Sequence, residues 1–170
     1  MALPVEVRGL VRVVGKTVKT PLMRVPGIPG AVAYTAGDAF GAKFIIDSVV
    51  DKDGRTQPLP TSGIIHFANF VDRDDEGIET DLVLFTGDFV ATADNEAFTV
   101  ADADFETFLT TITFSTFKNF AVNQVSSAGA LGVAYVAPYR RLWAQMVTRG
   151  TPTIAAGSEP SVSLTILADE

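Results

Sequence analysis

The chain has 170 residues, of which 47% are apolar, and its net charge is −7. This length suits one domain with a core of its own. Cysteine is absent and histidine occurs once, which excludes disulfide staples, thiolate metal sites and sites built on two imidazoles. The acidic balance argues against direct nucleic-acid binding, which needs clustered Lys and Arg to neutralise phosphates.

The N-terminal thirty residues differ in charge from the rest of the chain. They hold five of the thirteen basic residues but only one of the twenty acidic ones. Prolines recur among them and discourage regular structure, because proline lacks an N–H and has a fixed φ. We therefore predict an extended basic arm over residues 1–30, with a short strand near residues 4–14, followed by one β domain over residues 31–170.

Short β-branched and aromatic runs follow, separated by turn residues. The predicted strands are 31–35, 41–50, 62–71, 80–86, 109–117, 131–136, 140–148 and 161–167, with turns at 36–38, 51–54, 74–77, 126–129 and 150–152. One short helix is predicted within residues 100–108, where acidic residues come early and Phe105 and Phe108 share a face. About eight antiparallel strands predict an all-β fold, a jelly roll or a related β-sandwich.

Candidate contact residues come from the basic arm and from an aromatic, arginine-rich stretch after residue 138. Arg, Trp and Tyr are the favoured anchors of protein interfaces. The candidates for contacts with a partner or a second copy are Arg8, Arg12, Lys16, Lys19, Arg24, Tyr139, Arg140, Arg141, Trp143 and Arg149. The residues of this list from Tyr139 onward could also contact a nucleic acid or a carboxylate, by stacking and bidentate hydrogen bonding. A protein interface is the preferred interpretation.

An acidic segment resembles half of a calcium-binding loop. Asp72, Asp74, Glu76 and Gly77 have the spacing of its first half. The twelfth position is Val83, where a bidentate Glu is required, and both flanks are predicted strands. We expect a solvated hairpin turn here and no metal site.

Catalytic groups are present only as scattered carboxylates and one imidazole. His66 lies in a predicted strand without a second histidine or a cysteine, so we expect it to face solvent or an interface. The carboxylates considered for acid–base chemistry are Asp38, Asp47, Asp88, Asp94, Asp102 and Asp104. No pair among them stands out, and we predict no catalytic residue and no cofactor.

No membrane or targeting segment is predicted. The longest apolar runs are far shorter than the ~20 residues that a membrane helix needs. The N-terminus does not have the pattern of a secretion signal. We therefore expect synthesis in the cytoplasm.

Several segments together resemble a family of tailed-bacteriophage virion proteins. These segments are residues 33–41 (AYTAGDAFG), 81–85 (DLVLF), 88–95 (DFVATADN), 101–104 (ADAD) and 142–150 (LWAQMVTRG) with Pro152. The resemblance covers roughly residues 31–168 and leaves the arm out. It implies a jelly-roll cement, or decoration, protein on the outside of the phage head.

The resemblance implies a structural function and defines its partners. The expected partners are the major capsid protein and further copies of this chain, as a homodimer or homotrimer, and the expected location is the capsid exterior of the virion. A tail-associated or host-recognition module that binds saccharides is the first alternative. An enzyme on the same scaffold, such as a polysaccharide hydrolase, is the second.

Overall fold

Short antiparallel strands dominate the chain in a computed structural model, which describes residues 15–73, 75–154 and 160–169. Within those residues the strands are β1 (Lys16–Lys19), β2 (Met23–Arg24), β3 (Val32–Ala33), β4 (Ala39–Ile46), β5 (Ser48–Val50), β6 (Thr56–Pro58), β7 (Ser62–Asp72), β8 (Thr80–Phe85), β9 (Phe108–Phe114), β10 (Phe117–Asn119), β11 (Gln124–Val136), β12 (Leu142–Thr148), β13 (Thr153–Ile154) and β14 (Ser161–Ala168). A 3-10 helix, Asp102–Thr107, precedes β9. No helix in this part of the chain is long and apolar enough to cross a membrane.

The strands form two large sheets and a small ribbon. The larger sheet has eight strands in the order β10-β11-β7-β14-β1-β5-β6, and β2 also pairs with β14. The smaller sheet has four strands in the order β4-β12-β8-β9, and β13 pairs with β3 in the ribbon. From β7 onward the chain crosses between the large sheets four times: β7 lies in the larger sheet, β8 and β9 in the smaller, β11 in the larger, β12 in the smaller and β14 in the larger.

The two large sheets pack face to face over one apolar core. Ile65 and Phe70 of β7 both lie in the core, although they are five residues apart, because the pairing of β7 with β14 shifts register at His66 and reverses the alternation of the strand. The ring of Phe70 stacks on Phe114 of the smaller sheet, with the ring centroids 5.5 Å apart. Burying a side chain of this size stabilises the fold by about 1.5–3 kcal/mol, so packing between the sheets makes the chain a β-sandwich.

The smaller sheet is covered on its outer face as well. All seven residues of β12 are buried. Leu142 and Met146 face the core between the sheets, whereas Trp143 faces outward beside Phe85. Residues 86–107, named the covering segment here, run across this outer side and place Phe89 on it. The smaller sheet is therefore the middle layer of the molecule.

The all-β class, the antiparallel strands and the short helix predicted from the sequence are confirmed. The predicted strand 140–148 contains β12. The predicted strand 41–50 is interrupted at Asp47, which separates β4 in one sheet from β5 in the other.

One predicted turn is wrong. Residues 126–129 lie inside β11 and pair with β7 over their whole length. The irregularity comes later, where the register with β7 shifts between Gly129 and Val133. Serine, alanine and glycine resemble a turn locally, but pairing with the eleven-residue β7 keeps them extended.

The described part of the predicted arm lies against the body. Residues 16–19 form β1, which pairs along its whole length with β14, and Val18 is buried in the core. Residues 23–24 pair with β14 as well. Extended backbone was expected here, but its main-chain groups bond to the domain instead of standing apart from it. The strand predicted near residues 4–14 lies outside the described residues.

Glycine permits a close backbone approach between this N-terminal segment and β4. Gly41 lies inside β4 with φ +75°, and an added Cβ would come within 2.6 Å of the carbonyl oxygen of Pro26. Gly27 has φ +79° and faces Ala42 just as closely. The contact lets the Ala42 N–H donate to the Pro26 carbonyl oxygen at 2.7 Å.

Candidate interaction surface

A buried hydrogen-bond network fastens the covering segment to the smaller sheet. The side chain of Gln145, in β12, is fully buried. Its amide nitrogen donates to the carbonyl oxygens of Thr92 at 2.7 Å and Gly41 at 3.1 Å, and its amide oxygen accepts from the Thr92 N–H at 3.2 Å. All the amide's partners are main-chain groups, so the network holds a defined backbone path across the sheet.

Asp94 fastens the same segment at a second point. Its Oδ1 accepts from the Gly41 N–H at 2.6 Å and from the hydroxyl of Tyr34 at 2.8 Å. Burial of the phenol, the hydrogen bond to Asp94 and the negative charge of that carboxylate all raise the pKa of Tyr34 above its ordinary value. Tyr34, Gly41, Asp94 and Gln145 belong to the segments that carry the family resemblance, so those segments meet in one structural network.

An open groove lies next to the covering segment. It has a volume of about 390 Å³ and is lined by Gly87, Asp88, Tyr139, Arg141 and Trp143. We call it the aromatic groove. Tyr139 is 74% exposed, whereas Trp143 is held in β12 between strands β4 and β8. The groove thus combines one free aromatic ring with one that the sheet holds in place.

Charged side chains border the aromatic groove. The guanidinium of Arg141 lies 6.0 Å from the ring centroid of Trp143. The ammonium of Lys43 contacts Asp88 at 2.5 Å and donates to the Phe89 carbonyl oxygen at 2.7 Å. The hydrogen bond from Lys43 is the main cause that lowers the pKa of Asp88. Both an anion and a cation are therefore available beside the rings.

Two exposed phenylalanines extend the apolar surface near the groove. Phe105 is 56% exposed and Phe108 is 41% exposed. Their ring centroids lie 6.2 Å apart, and Phe108 packs edge-on against Phe85 at 5.7 Å. Sequence reasoning placed this pair on one helix face but did not predict that it would be exposed. The 3-10 helix ends at Thr107 without a buried residue, and Phe108 is the first residue of β9.

The structure divides the predicted contact residues among several places. Tyr139, Arg141 and Trp143 come together in the aromatic groove. Lys16 and Arg140 come together at a second groove, of about 240 Å³, between β1 and the loop before β12. There the Lys16 ammonium lies 3.7 Å from Asp51, and the Arg140 guanidinium donates to the Leu59 carbonyl oxygen at 3.4 Å.

The remaining predicted contact residues lie elsewhere. Arg149 follows the far end of β12 and binds Asp81 within the molecule, with Nε 2.7 Å from Oδ2. Lys19 and Arg24 are exposed on β1 and β2. Arg8 and Arg12 lie outside the described residues.

The acidic segment at the end of β7 closes a loop. Asp72 is buried, and its Oδ2 accepts from the Gly77 N–H at 2.9 Å. Asp74 lies outside the described residues, and among the residues that are described no group of three potential ligands could hold a metal ion. The described geometry is that of a turn closed by a carboxylate.

Two other acid–base candidates, Asp38 and Asp104, make contacts within the fold. Asp38 accepts from the Thr35 N–H at 2.7 Å, and Asp104 accepts from the Val90 N–H at 3.0 Å. His66 is exposed in β7, at the residue where the pairing with β14 shifts register between Thr165 and Ile166. Exposure of this histidine was expected, but the bulge that presents it was not.

Comparison with protein-family models, with curated proteins and with solved structures found no match to this chain. The resemblance to the virion family therefore stays a prediction from the residues.

Proposed function

We propose that this protein binds the outer surface of an assembled phage capsid and stabilises it, with the aromatic groove as its main contact. The observation that carries the proposal is the position of Tyr139, Arg141 and Trp143 in one open groove on a rigid sheet. Side chains of these three types contribute most to the energy of protein interfaces. The capsid as partner comes from the family resemblance.

The rigidity of the groove favours such a contact. Trp143 is only 8% exposed, and its neighbour Phe85 stacks on Phe89 with centroids 4.1 Å apart. A ring that is already fixed loses little conformational freedom on binding, so more of the contact energy remains as affinity. A protein that reinforces a shell needs this property, since a yielding contact would transmit no resistance to expansion.

Several weak contacts are sufficient when the partner is a lattice. A symmetric oligomer places several aromatic grooves on neighbouring capsid subunits, which raises the effective concentration of each after the first has bound. Because the protein then binds the assembled lattice better than free subunits, mass action favours the intact head.

The strand order supports the jelly-roll form of the proposal. A jelly roll holds eight strands in two sheets. In the described residues the eight strands of four or more residues form two rows of four, β11-β7-β14-β1 and β4-β12-β8-β9. The remaining strands, of two or three residues, extend or flank these rows.

The test is an add-back experiment with heads prepared without this protein. Purified protein should attach to such heads and raise their survival on heating or osmotic shock. The double variant Tyr139→Ala/Arg141→Ala should bind at least about tenfold more weakly, since two interface anchors are lost. Phe120→Ala removes an equally exposed aromatic ring from a hairpin outside the groove and serves as the matched control.

Failure of the wild-type protein to attach or protect at saturating concentration contradicts the capsid function. Equal binding by the groove variant and the Phe120→Ala control leaves capsid binding intact but removes the groove as its site. Removing residues 2–14 tests the basic arm separately, because it eliminates Arg8 and Arg12 and leaves β1 in place.

The composition of the aromatic groove also favours the saccharide-binding alternative. The exposed ring of Tyr139, with Asp88 and Arg141 beside it, offers a stacking surface and hydrogen-bonding groups to a sugar. The copy number per particle separates the two functions. Hundreds of copies favour the head, and a few copies in multiples of three or six at one vertex favour the tail.

A further inference from the structure

The sheet edges of the described residues differ in how they are protected against pairing with another chain. Edge strands are normally kept short, charged, interrupted by proline or covered. In the larger sheet, the edge strand β6 has three residues and contains Pro58, and β10 has three residues and contains Lys118. In the smaller sheet, β4 is partly covered, since the Ala42 N–H bonds to Pro26. The opposite edge of that sheet is β9.

β9 has none of these protections within the described residues. Its pairing with β8 is regular from Thr110 to Phe114, and one register shift falls near its start, at Leu109. It has seven residues, FLTTITF, and no charged residue or proline occurs from Phe108 through Phe117. It is the last strand of its sheet, paired on one side only, with β8. A long, uncharged edge of this kind is a template for pairing with another strand.

The hydrogen-bond phase of the sheet identifies which groups of β9 face outward. The Arg149 N–H donates to the Glu79 carbonyl oxygen at 2.8 Å, so odd-numbered residues of β8 direct their main-chain groups to β12. Even-numbered residues then bond to β9, as in the pair Leu82 and Ile112. Successive residues of a strand direct their main-chain groups to opposite sides. Because Ile112 directs its groups to β8, its neighbour Thr111 directs its N–H and its carbonyl oxygen to the open edge.

We propose that two copies of this chain pair through β9, antiparallel about a two-fold axis at Thr111, and join two four-stranded sheets into one. Thr111 of each copy forms a hydrogen-bonded pair with Thr111 of the other, and Thr113 lies opposite Leu109. The proposal specifies the symmetric oligomer that the proposed function assumes, and in that respect rests on it. The observations that support the dimer itself concern only the open edge of β9.

Three features favour a second copy as the occupant. An isologous two-fold contact needs only one self-complementary surface, which an uncharged strand of threonine and apolar residues provides. Each copy carries a net charge of −7, so self-association needs a contact strand free of like charges. The antiparallel direction also brings the acidic helix before β9 toward the partner's Lys118, whereas the parallel direction would bring the two acidic helices together.

Cysteine cross-linking tests the register directly, because the chain has no native cysteine. Thr111→Cys should give a disulfide-linked dimer under mild oxidation, since hydrogen-bonded partners have Cα atoms about 5.5 Å apart, within disulfide range. Thr113→Cys is the matched control. In the proposed register its two copies lie four residues apart along the strands, about 13 Å, and should not cross-link.

Charge substitution at Thr111 tests the same interface without cross-linking. Sedimentation of the isolated protein from micromolar to millimolar concentration should show a dimer for the wild type and for the exposed-surface control Ser127→Lys. Thr111→Lys and Thr111→Glu should each be monomeric with unchanged circular dichroism, and their equimolar mixture should restore the dimer.

A monomeric wild type overturns the proposal. So does a dimer or trimer that Thr111→Lys leaves intact, or equal cross-linking at Thr111 and Thr113. Since these measurements use no capsid, the dimer can fail while head binding stands, and head binding can fail while the dimer stands.

Discussion

The outer faces of the two large sheets differ in how much of their surface is buried. On the smaller sheet, all seven residues of β12 are buried, because the covering segment packs on the side away from the core. On the larger sheet, only Ser126 and Tyr135 of the thirteen residues of β11 are buried. The smaller sheet is therefore the middle of three layers at β12. The larger sheet buries six of the eight residues of β14 but leaves one face of β11 largely in solvent.

The comparison shows where the molecule holds its shape most firmly. The aromatic groove is built on the three-layered side, where Trp143 is fixed from behind and from both neighbouring strands. The open face of the larger sheet carries exposed residues such as Phe120 and Val122 at a hairpin tip. We expect substitutions of the same type to cost far more on the three-layered side.

Replacing Phe89 with alanine should have the largest effect. Its ring is 3% exposed and stacks on Phe85, so the substitution opens a cavity between the covering segment and the sheet. The expected loss in the free energy of unfolding is about 3 kcal/mol. Phe120→Ala, the same change at a ring that is 62% exposed, should cost about 0.5 kcal/mol or less.

Chemical denaturation of the two phenylalanine variants measures this difference. Equal losses in the free energy of unfolding would mean that the covering segment does not shield the smaller sheet. The two outer faces would then not differ in how strongly their side chains stabilise the fold.

Replacing Gln145 with alanine should have the second largest effect. It removes three hydrogen bonds and leaves the Thr92 N–H and two carbonyl groups without their partner. The expected cost is about 2 kcal/mol. The control is Gln57→Ala in β6, where one hydrogen bond to Asp51 is lost at a half-buried position and the expected cost is about 0.5–1 kcal/mol.

Amide hydrogen exchange should locate the effect of Gln145→Ala. Protection should fall in the covering segment, at Thr92 first, while β7 and β14 keep theirs. Uniform loss of protection across both sheets would show that the segment does not open as a unit.

The strand pattern could be predicted from the sequence because most strands keep a β-branched, aromatic run between turn residues. β8 and β12 were found for this reason, although both faces of each are buried. What the sequence did not show is the cause of that double burial. The residues that cover the outer face come from a loop of low regularity, in which Phe89, Phe98 and Val100 pack against that face.

The candidate surface could be predicted in part. Residue type alone suggested Tyr139, Arg141 and Trp143, and the structure brings them together. Arg149 has the same chemistry but binds Asp81, because cross-strand pairing puts Asp81 opposite Val147, two residues away. Which arginine has an internal partner depends on register, and register is not visible in composition.

The pH dependence of stability provides a finer test of how the covering segment is held. The raised pKa of Tyr34 means that the folded state keeps the phenol proton at a pH where the unfolded chain loses it. Stability from this group is therefore complete below pH about 10, the pKa of an unperturbed tyrosine, and declines as the pH rises above it. Tyr34→Phe should lower stability by about 1 kcal/mol at neutral pH, through loss of the bond to Asp94.

The same variant should also show a shallower decline in stability above pH 10, measured by denaturation at a series of pH values. Phe120→Ala, which removes an exposed ring without a titratable group, should keep the wild-type decline. If Tyr34→Phe follows the wild-type curve at high pH, the phenol does not titrate with unfolding. The covering segment would then be held by Gln145 and apolar packing without help from the Tyr34–Asp94 bond, and the two faces of the molecule would differ in packing alone.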